Sequence, residues 1–186
     1  VRGFPVLWVV VVAAVGVLAP SAPAATSCAG ADVPATTASV TATRAAIDCL
    51  IDAARAERGL APLKADTRLQ TAAQRFARAL DPGKPLTHAG RGGSTPLTRI
   101  ADSGYARGAG GFAAAETLGR SKGSLATPAA RVKAWLASAA TRKLLLSGRY
   151  RDVGVGVATV GDVATFVVEV AAPNRRPSRA PSKRSS

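Results

Sequence analysis

The chain has 186 residues, which allows one domain and leaves little room for a second. It carries 25 Lys and Arg against 11 Asp and Glu, a net charge of +14, with one histidine, two cysteines and only 4% aromatic residues. That aromatic content leaves little for base stacking, and one histidine is a poor start for a zinc site, which needs about three protein ligands.

The N-terminus reads Val1-Arg2-Gly3-Phe4-Pro5, followed by an apolar run from Val6 to Leu18 and the small-x-small triplet Ala22-Pro23-Ala24. One positive charge, a short apolar stretch and small residues follow the order of a secretory signal peptide. Residues 1–24 are therefore expected to be removed, with the mature chain starting near Ala25. The alternative is a retained membrane anchor, but the run is shorter than the roughly 20 residues a spanning helix needs. The expected location is secreted, either extracellular or in the cell envelope. Cys28 and Cys49 both follow the cleavage site, and an even count in an exported chain reads as a disulfide. The alternative is two unpaired buried thiols.

Residues 25–42 are rich in Ala, Thr, Ser and Pro without a period and read as an extended lead-in. The domain proper is expected over 43–172. Ile47, Leu50, Ile51 and Ala54 then follow the i, i+3, i+4, i+7 spacing of a buried helix stripe, and Gly59 and Pro62 end it. Asp66 can cap a second helix with Leu69, Ala72, Ala73, Phe76 and Leu80 on its apolar face, stopped by Asp81-Pro82-Gly83. Ser94-Thr95-Pro96 opens a short helix with Leu97, Ile100 and Ala101 inward and Gly104 at its end. Residues 104–111 are Gly-rich loop. Thr127-Pro128 opens another helix with Val132, Trp135, Leu136 and Ala139 inward, and a short helix around Leu144, Leu145 and Leu146 follows.

The period then changes to two. Asp152–Val160 and Val163–Val170 read as strands around a tight hairpin at Gly161-Asp162. Val153, Val155 and Val157 line one face. Gly154, Gly156 and Ala158 line the other, which implies close approach of a second layer. The expected fold is α+β, a three-layer α-β-α sandwich with a small antiparallel sheet flanked by helices. Residues 173–186 include Arg175, Arg176, Arg179, Lys183 and Arg184 interleaved with Pro and Ser, and read as a disordered basic tail.

Several runs, in this order, carry a family resemblance. Leu50-Ile51-Asp52-Ala53-Ala54-Arg55-Ala56-Glu57-Arg58-Gly59-Leu60-Ala61-Pro62-Leu63 comes first, then Arg68-Leu69-Gln70-Thr71-Ala72-Ala73, then Leu86-Thr87-His88. Arg99-Ile100-Ala101-Asp102-Ser103-Gly104-Tyr105, Ala134-Trp135-Leu136-Ala137-Ser138 and Gly154-Val155-Gly156-Val157 complete it. Over about residues 44–171 the chain resembles the bacterial branch of the CAP superfamily, the SCP-like extracellular proteins. Cys28 and Cys49 also resemble an actinobacterial subgroup with a disulfide ahead of the first helix. The resemblance implies a ligand cleft at His88, Glu116 and Thr141. It also marks three departures. The family's Gly-Glu-Asn is Ala115-Glu116-Thr117, its Ser-Pro-Gly-His-Arg is Ser138-Ala139-Ala140-Thr141-Arg142, and its helical His-Ser pair is Phe76-Ala77. Glu116 is kept, whereas the second histidine of the cleft is replaced by Thr141.

His88 with Glu116 can form an imidazole–carboxylate pair, and these are the two candidate catalytic residues, as a proton shuttle. The competing reading is a structural hydrogen bond that holds the His88 loop. No Gly-x-Ser-x-Gly elbow is present, and Ser94 and Ser138 read as helix caps rather than nucleophiles. His88, Glu116 and Asp102 are conceivable metal ligands with no ligand-spacing motif behind them, so neither metal nor other cofactor is expected. Gly108, Gly110 and Gly111 read as flexible loop, without the lysine context of a phosphate loop. The favoured expectation is a non-catalytic binding or accessory module of the envelope. One alternative is a cell-wall hydrolase using Glu116 and His88. The other is a basic structural protein bound to anionic wall polymers. Expected partners are wall polymer, lipid or another anionic surface reached through the tail, with no nucleic acid and a monomeric state.

Overall fold

A computed structural model describes residues 27–174. The expected signal segment 1–24 and residues 175–186 of the basic tail lie outside the described residues. Helix α1 spans Val40–Ala56, α2 Thr67–Ala79, α3 Pro96–Asp102, α4 Pro128–Ala137 and α5 Ala139–Leu145. Strands are β1 Lys64–Ala65, β2 Phe112–Lys122, β3 Asp152–Val160 and β4 Val163–Pro173.

Local chemistry sets the helix starts. The Ser39 hydroxyl accepts from the Ala42 amide, Asp66 accepts from Arg68 and Leu69, Thr95 from Thr98 and Thr127 from Ala130. Pro96 and Pro128 occupy first turns, where no amide is missed. The Ser39 cap starts α1 at Val40, inside the stretch expected to be extended. The residues before it are turns that lie on the domain: Ala35 is buried and donates to Ala126 O, and Ala31 O accepts from Ala129. Leu97, expected inward on α3, is 52% exposed, because a seven-residue helix has one buried position, Ile100. Ala139 is also exposed, since α4 ends at Ser138 and α5 starts a new axis there.

The sheet runs β1-β3-β4-β2. β3 and β4 pair antiparallel from Val160↔Val163 around Gly161, which sits at φ 58°, and β4 pairs antiparallel with β2 along eleven residues. The sheet is mixed rather than wholly antiparallel, because β1 adds a two-residue parallel pairing on β3. Strand alternation sorts the side chains onto two faces. Val153, Val155, Val157, Phe166, Val168 and Val170 pack with Ile47, Ile51, Val132 and Trp135 of α1 and α4. Val167 and Ala171 face Leu69, Ala72, Ala73 and Phe76 of α2 and Ile100 of α3. The three-layer α-β-α sandwich is thus present.

Cys28 and Cys49 are bonded, tying the lead-in to α1 across 21 residues. In the chain-entropy picture a loop of this size contributes about 3 kcal/mol. Cys49→Ser is expected to lower stability by roughly 2–4 kcal/mol in denaturant melts. Non-reducing peptide mapping of the purified protein should link the segments around Cys28 and Cys49. Two free thiols there would contradict the bridge.

Candidate functional site

Glu116 lies midway along β2 with its side chain toward α2 and α3 and none of it exposed. Its two oxygens have separate partners. His88 Nδ1 meets Oε1 at 2.7 Å, and Arg99 Nη2 donates to Oε2 at 2.7 Å. His88 comes from the loop after α2 and Arg99 from the middle of α3, so three segments converge on one carboxylate. Arg99 is itself held from several sides. Its Nη1 donates to His88 O at 3.1 Å and Ser94 O at 3.0 Å, and its guanidinium carbon lies 3.5 Å from the Phe76 ring centre. The same arginine therefore neutralises Glu116 and fixes the backbone of the loop that carries His88. The imidazole remains 58% exposed at the surface of this assembly.

Beside it, a cavity of about 230 Å³ opens between α2 and α3, lined by Ala72, Arg75, Ser94, Arg99, Asp102 and Ser103. Behind it lies Glu169 on β4, directly opposite Glu116 in the strand register. Glu169 is fully buried, and neither carboxylate oxygen has a hydrogen-bond partner among the described residues. Burial first, and then the neighbouring Glu116 charge, push its pKa up to about 8, against a smaller opposing pull from Arg99. At neutral pH the site thus holds a carboxyl that resists ionisation behind Arg99-paired Glu116.

His88 and Glu116, expected together, are together. Thr141 on α5 is hydrogen-bonded to neither. Its hydroxyl donates to Trp135 O at 2.5 Å and lies 3.4 Å from Ser138 O, which closes the α4–α5 junction. Asp102 is exposed on the cavity wall. Thr95 rather than Ser94 caps α3, and Ser138 begins α5 without a side-chain bond. Arg99 was not singled out by the sequence reading, and no local signal marks it. Glu169 did carry a signal: an acid between Val167 and Ala171 at an inward strand position, where ionisable groups are rare.

A sequence profile described as "CAP: Cysteine-rich secretory protein family" matches residues 50–170, more than half of the chain. The chain belongs to the cysteine-rich secretory protein family. Among solved structures, this CAP domain is similar to an outer surface protein of Borrelia burgdorferi, at 24% identity and a TM-score of 0.55 over 67% of this chain and 87% of that one. It is also similar to an extracellular SCP-domain protein of Bacillus anthracis, at 20% identity and a TM-score of 0.56 over 69% of this chain but 40% of that one. At these identities the likeness concerns the fold. Among curated proteins, none matches.

The CAP domain's own residues do not fit a zinc shell. Among the described residues no three His, Cys, Asp or Glu side chains gather, and the one carboxylate at His88 already has both oxygens engaged. What the CAP site can do is orient an imidazole. Glu116 holds the Nδ1 side, which leaves Nε2 facing outward. Among the described residues no hydroxyl or thiol is hydrogen-bonded to that ring.

Proposed function

We propose that this is a secreted CAP-domain protein of the cell envelope or extracellular space that works as a binding or accessory module rather than as a hydrolase. The observation that carries this reading is the state of Glu116: fully buried, with one oxygen on His88 and the other on Arg99. A catalytic carboxyl group must present an oxygen to its substrate. Both oxygens of Glu116 are already engaged, and what they do is hold a partly exposed imidazole at a fixed angle. The Cys28–Cys49 bridge and the signal-like N-terminus support export. Charge supports an anionic environment. Six of the 25 basic residues, Arg2, Arg175, Arg176, Arg179, Lys183 and Arg184, lie outside residues 27–174, and none of the acidic ones does, so the folded domain is itself basic.

One observation favours the hydrolase alternative: imidazole set by carboxylate is also how general bases are oriented. Co-sedimentation with purified cell walls, with soluble fragments assayed in parallel, separates the two. Binding without fragment release is expected, and His88→Ala should weaken binding without any release to lose. Release by the parent that disappears in His88→Ala would instead establish the hydrolase.

A further inference from the structure

On the domain surface away from His88, Arg99 and Glu116, three hollows follow one another along the loop from Leu146 to Arg151. The first, about 410 Å³, is bounded by Arg58 at the end of α1, Arg142 and Lys143 on α5, and Ser147. The second, also about 410 Å³, is bounded by Gly59–Pro62, Gly148, Tyr150 and Arg151, with Arg55 in its wall. The third, about 280 Å³, shares Arg151 with the second and adds Arg149. Six cations line the series, and no acidic side chain does. None of the four ion pairs among the described residues involves any of them.

Arg55 makes this more than a solvated basic surface. It is 2% exposed, yet it meets only neutral acceptors: Ala61 O at 2.9 Å, Leu145 O at 2.8 Å and Ser147 O at 3.1 Å. Asp52, the acid that acts on it through space, accepts from the Leu63 amide and forms no ion pair with it. Nη2 of Arg55 has no hydrogen-bond partner among the described residues. A buried charge with no acid in contact, and only the through-space pull of Asp52 to offset its burial, is costly, and an anion in the hollow beside it lowers that cost. The three carbonyls hold the guanidinium in place before any ligand arrives, so little ordering is lost on binding.

We infer that this groove is a binding site for a linear phosphate-bearing polyanion, with Arg55 as its buried anchor and Arg58, Arg142, Lys143, Arg149 and Arg151 along its length. Repeated hollows fit a polymer with repeated charges better than a single small anion. Cations reach the first hollow from both α1 and α5, and a tetrahedral phosphate can accept from several directions where a planar carboxylate favours one fork. A membrane surface fits poorly, because none of the exposed large apolar residues, Val33, Val40, Leu97, Leu125 and Val160, lines the groove. The site is separate from the His88–Glu116 cleft, and its test does not depend on what that cleft does.

Inorganic polyphosphate is the probe, titrated calorimetrically into the full chain, so that the basic tail is the same in every sample. Arg58→Gln, Lys143→Gln and Arg149→Gln combined in one variant should weaken binding by roughly tenfold or more and flatten its salt dependence. These three side chains are exposed and make no side-chain hydrogen bonds among the described residues, so folding should be retained, which circular dichroism checks. A control variant combining Arg68→Gln, Arg78→Gln and Lys133→Gln loses the same charge elsewhere, and its affinity should fall by no more than about twofold. Equal losses in the two variants would overturn the site in favour of diffuse charge attraction. Equally tight binding of poly-glutamate would overturn the phosphate assignment. Stronger groove-dependent binding to anionic phospholipid vesicles than to polyphosphate would overturn the polymer.

Discussion

Glu169→Gln is expected to keep a nearly level melting temperature from about pH 6 to about pH 8, while the parent loses stability steadily over that range. The carboxyl at 169 has an ordinary value of 4.5 and is pushed up to about 8 in the fold, by burial first and by Glu116 second. Between those values the native state holds a proton that the unfolded chain has released. Stability therefore falls as pH rises through this window and levels off above it, by a few kcal/mol in all. Glutamine keeps the shape and cannot ionise, so its curve should cross the parent's and lie above it at the alkaline end. Glu169→Leu should be more stable than either there, because no partner hydrogen bond is lost with the carboxyl. Asp48, raised to about 6 by burial and by Asp52, adds a slope of the same sign, but it ends lower on the pH scale and is present in all three proteins. Parallel parent and Glu169→Gln curves, followed by thermal melts at each pH, would show that Glu169 is ionised at no such cost.

Residues whose signal is local could be read without the structure, and those whose signal is tertiary could not. Asp66, Thr95 and Thr127 announced their helices because a cap is a contact within three residues. The β3–β4 hairpin was visible because Val alternates on both sides of Gly161-Asp162. Strand β2, which carries Glu116, went unread. Its Phe112-Ala113-Ala114-Ala115 start favours helix as much as strand, and it becomes a strand by pairing along β4. β1 is two residues long and exists through its pairing with β3.

The site divides in the same way. His88 and Glu116 are 28 residues apart on a loop and an unread strand, so their pairing came from family resemblance and not from spacing. Arg99, which locks that pair, looked like one more surface arginine on an amphipathic turn. Thr141 stands where the family resemblance puts the second histidine, and in this chain its hydroxyl serves the α4–α5 corner.

Gly156→Ala, together with Gly154→Ala, is expected to have the largest effect among single methyl additions at the described glycines, because β3 has no room for one on its α2 face. A Cβ there would stand 2.2 Å from Ala73 O and 2.3 Å from Ala73 C, and one at Gly154 would stand 2.2 Å from Leu69 C. These are backbone atoms, so no rotamer change relieves the overlap, and α2 must move as a body. The pairing of glycines with helix positions follows from geometry. Four helical residues rise about 6 Å and two strand residues about 6.6 Å, so Leu69 and Ala73 sit over Gly154 and Gly156 in step. Gln74 continues the register, with Nε2 donating to Val157 O at 2.8 Å and Oε1 accepting from Val157 N at 3.0 Å. Its amide thus supplies the partner that a neighbouring strand would otherwise give β3 at that point. Lifting α2 breaks these bonds and moves Phe76, on which the Arg99 guanidinium rests. The expected cost is about 3 kcal/mol or more for Gly156→Ala, with a similar loss for Gly154→Ala. Gly110→Ala is the control, since its added methyl meets nothing within 4 Å, and its melting temperature should stay near the parent's. The His88 ring resonance, followed by NMR at a temperature where all variants remain folded, should shift in the β3 variants and not in Gly110→Ala. Parent-like stability in Gly156→Ala would mean that α2 does not lie on the glycines of β3, and the support for Arg99 and its loop would have to come from elsewhere.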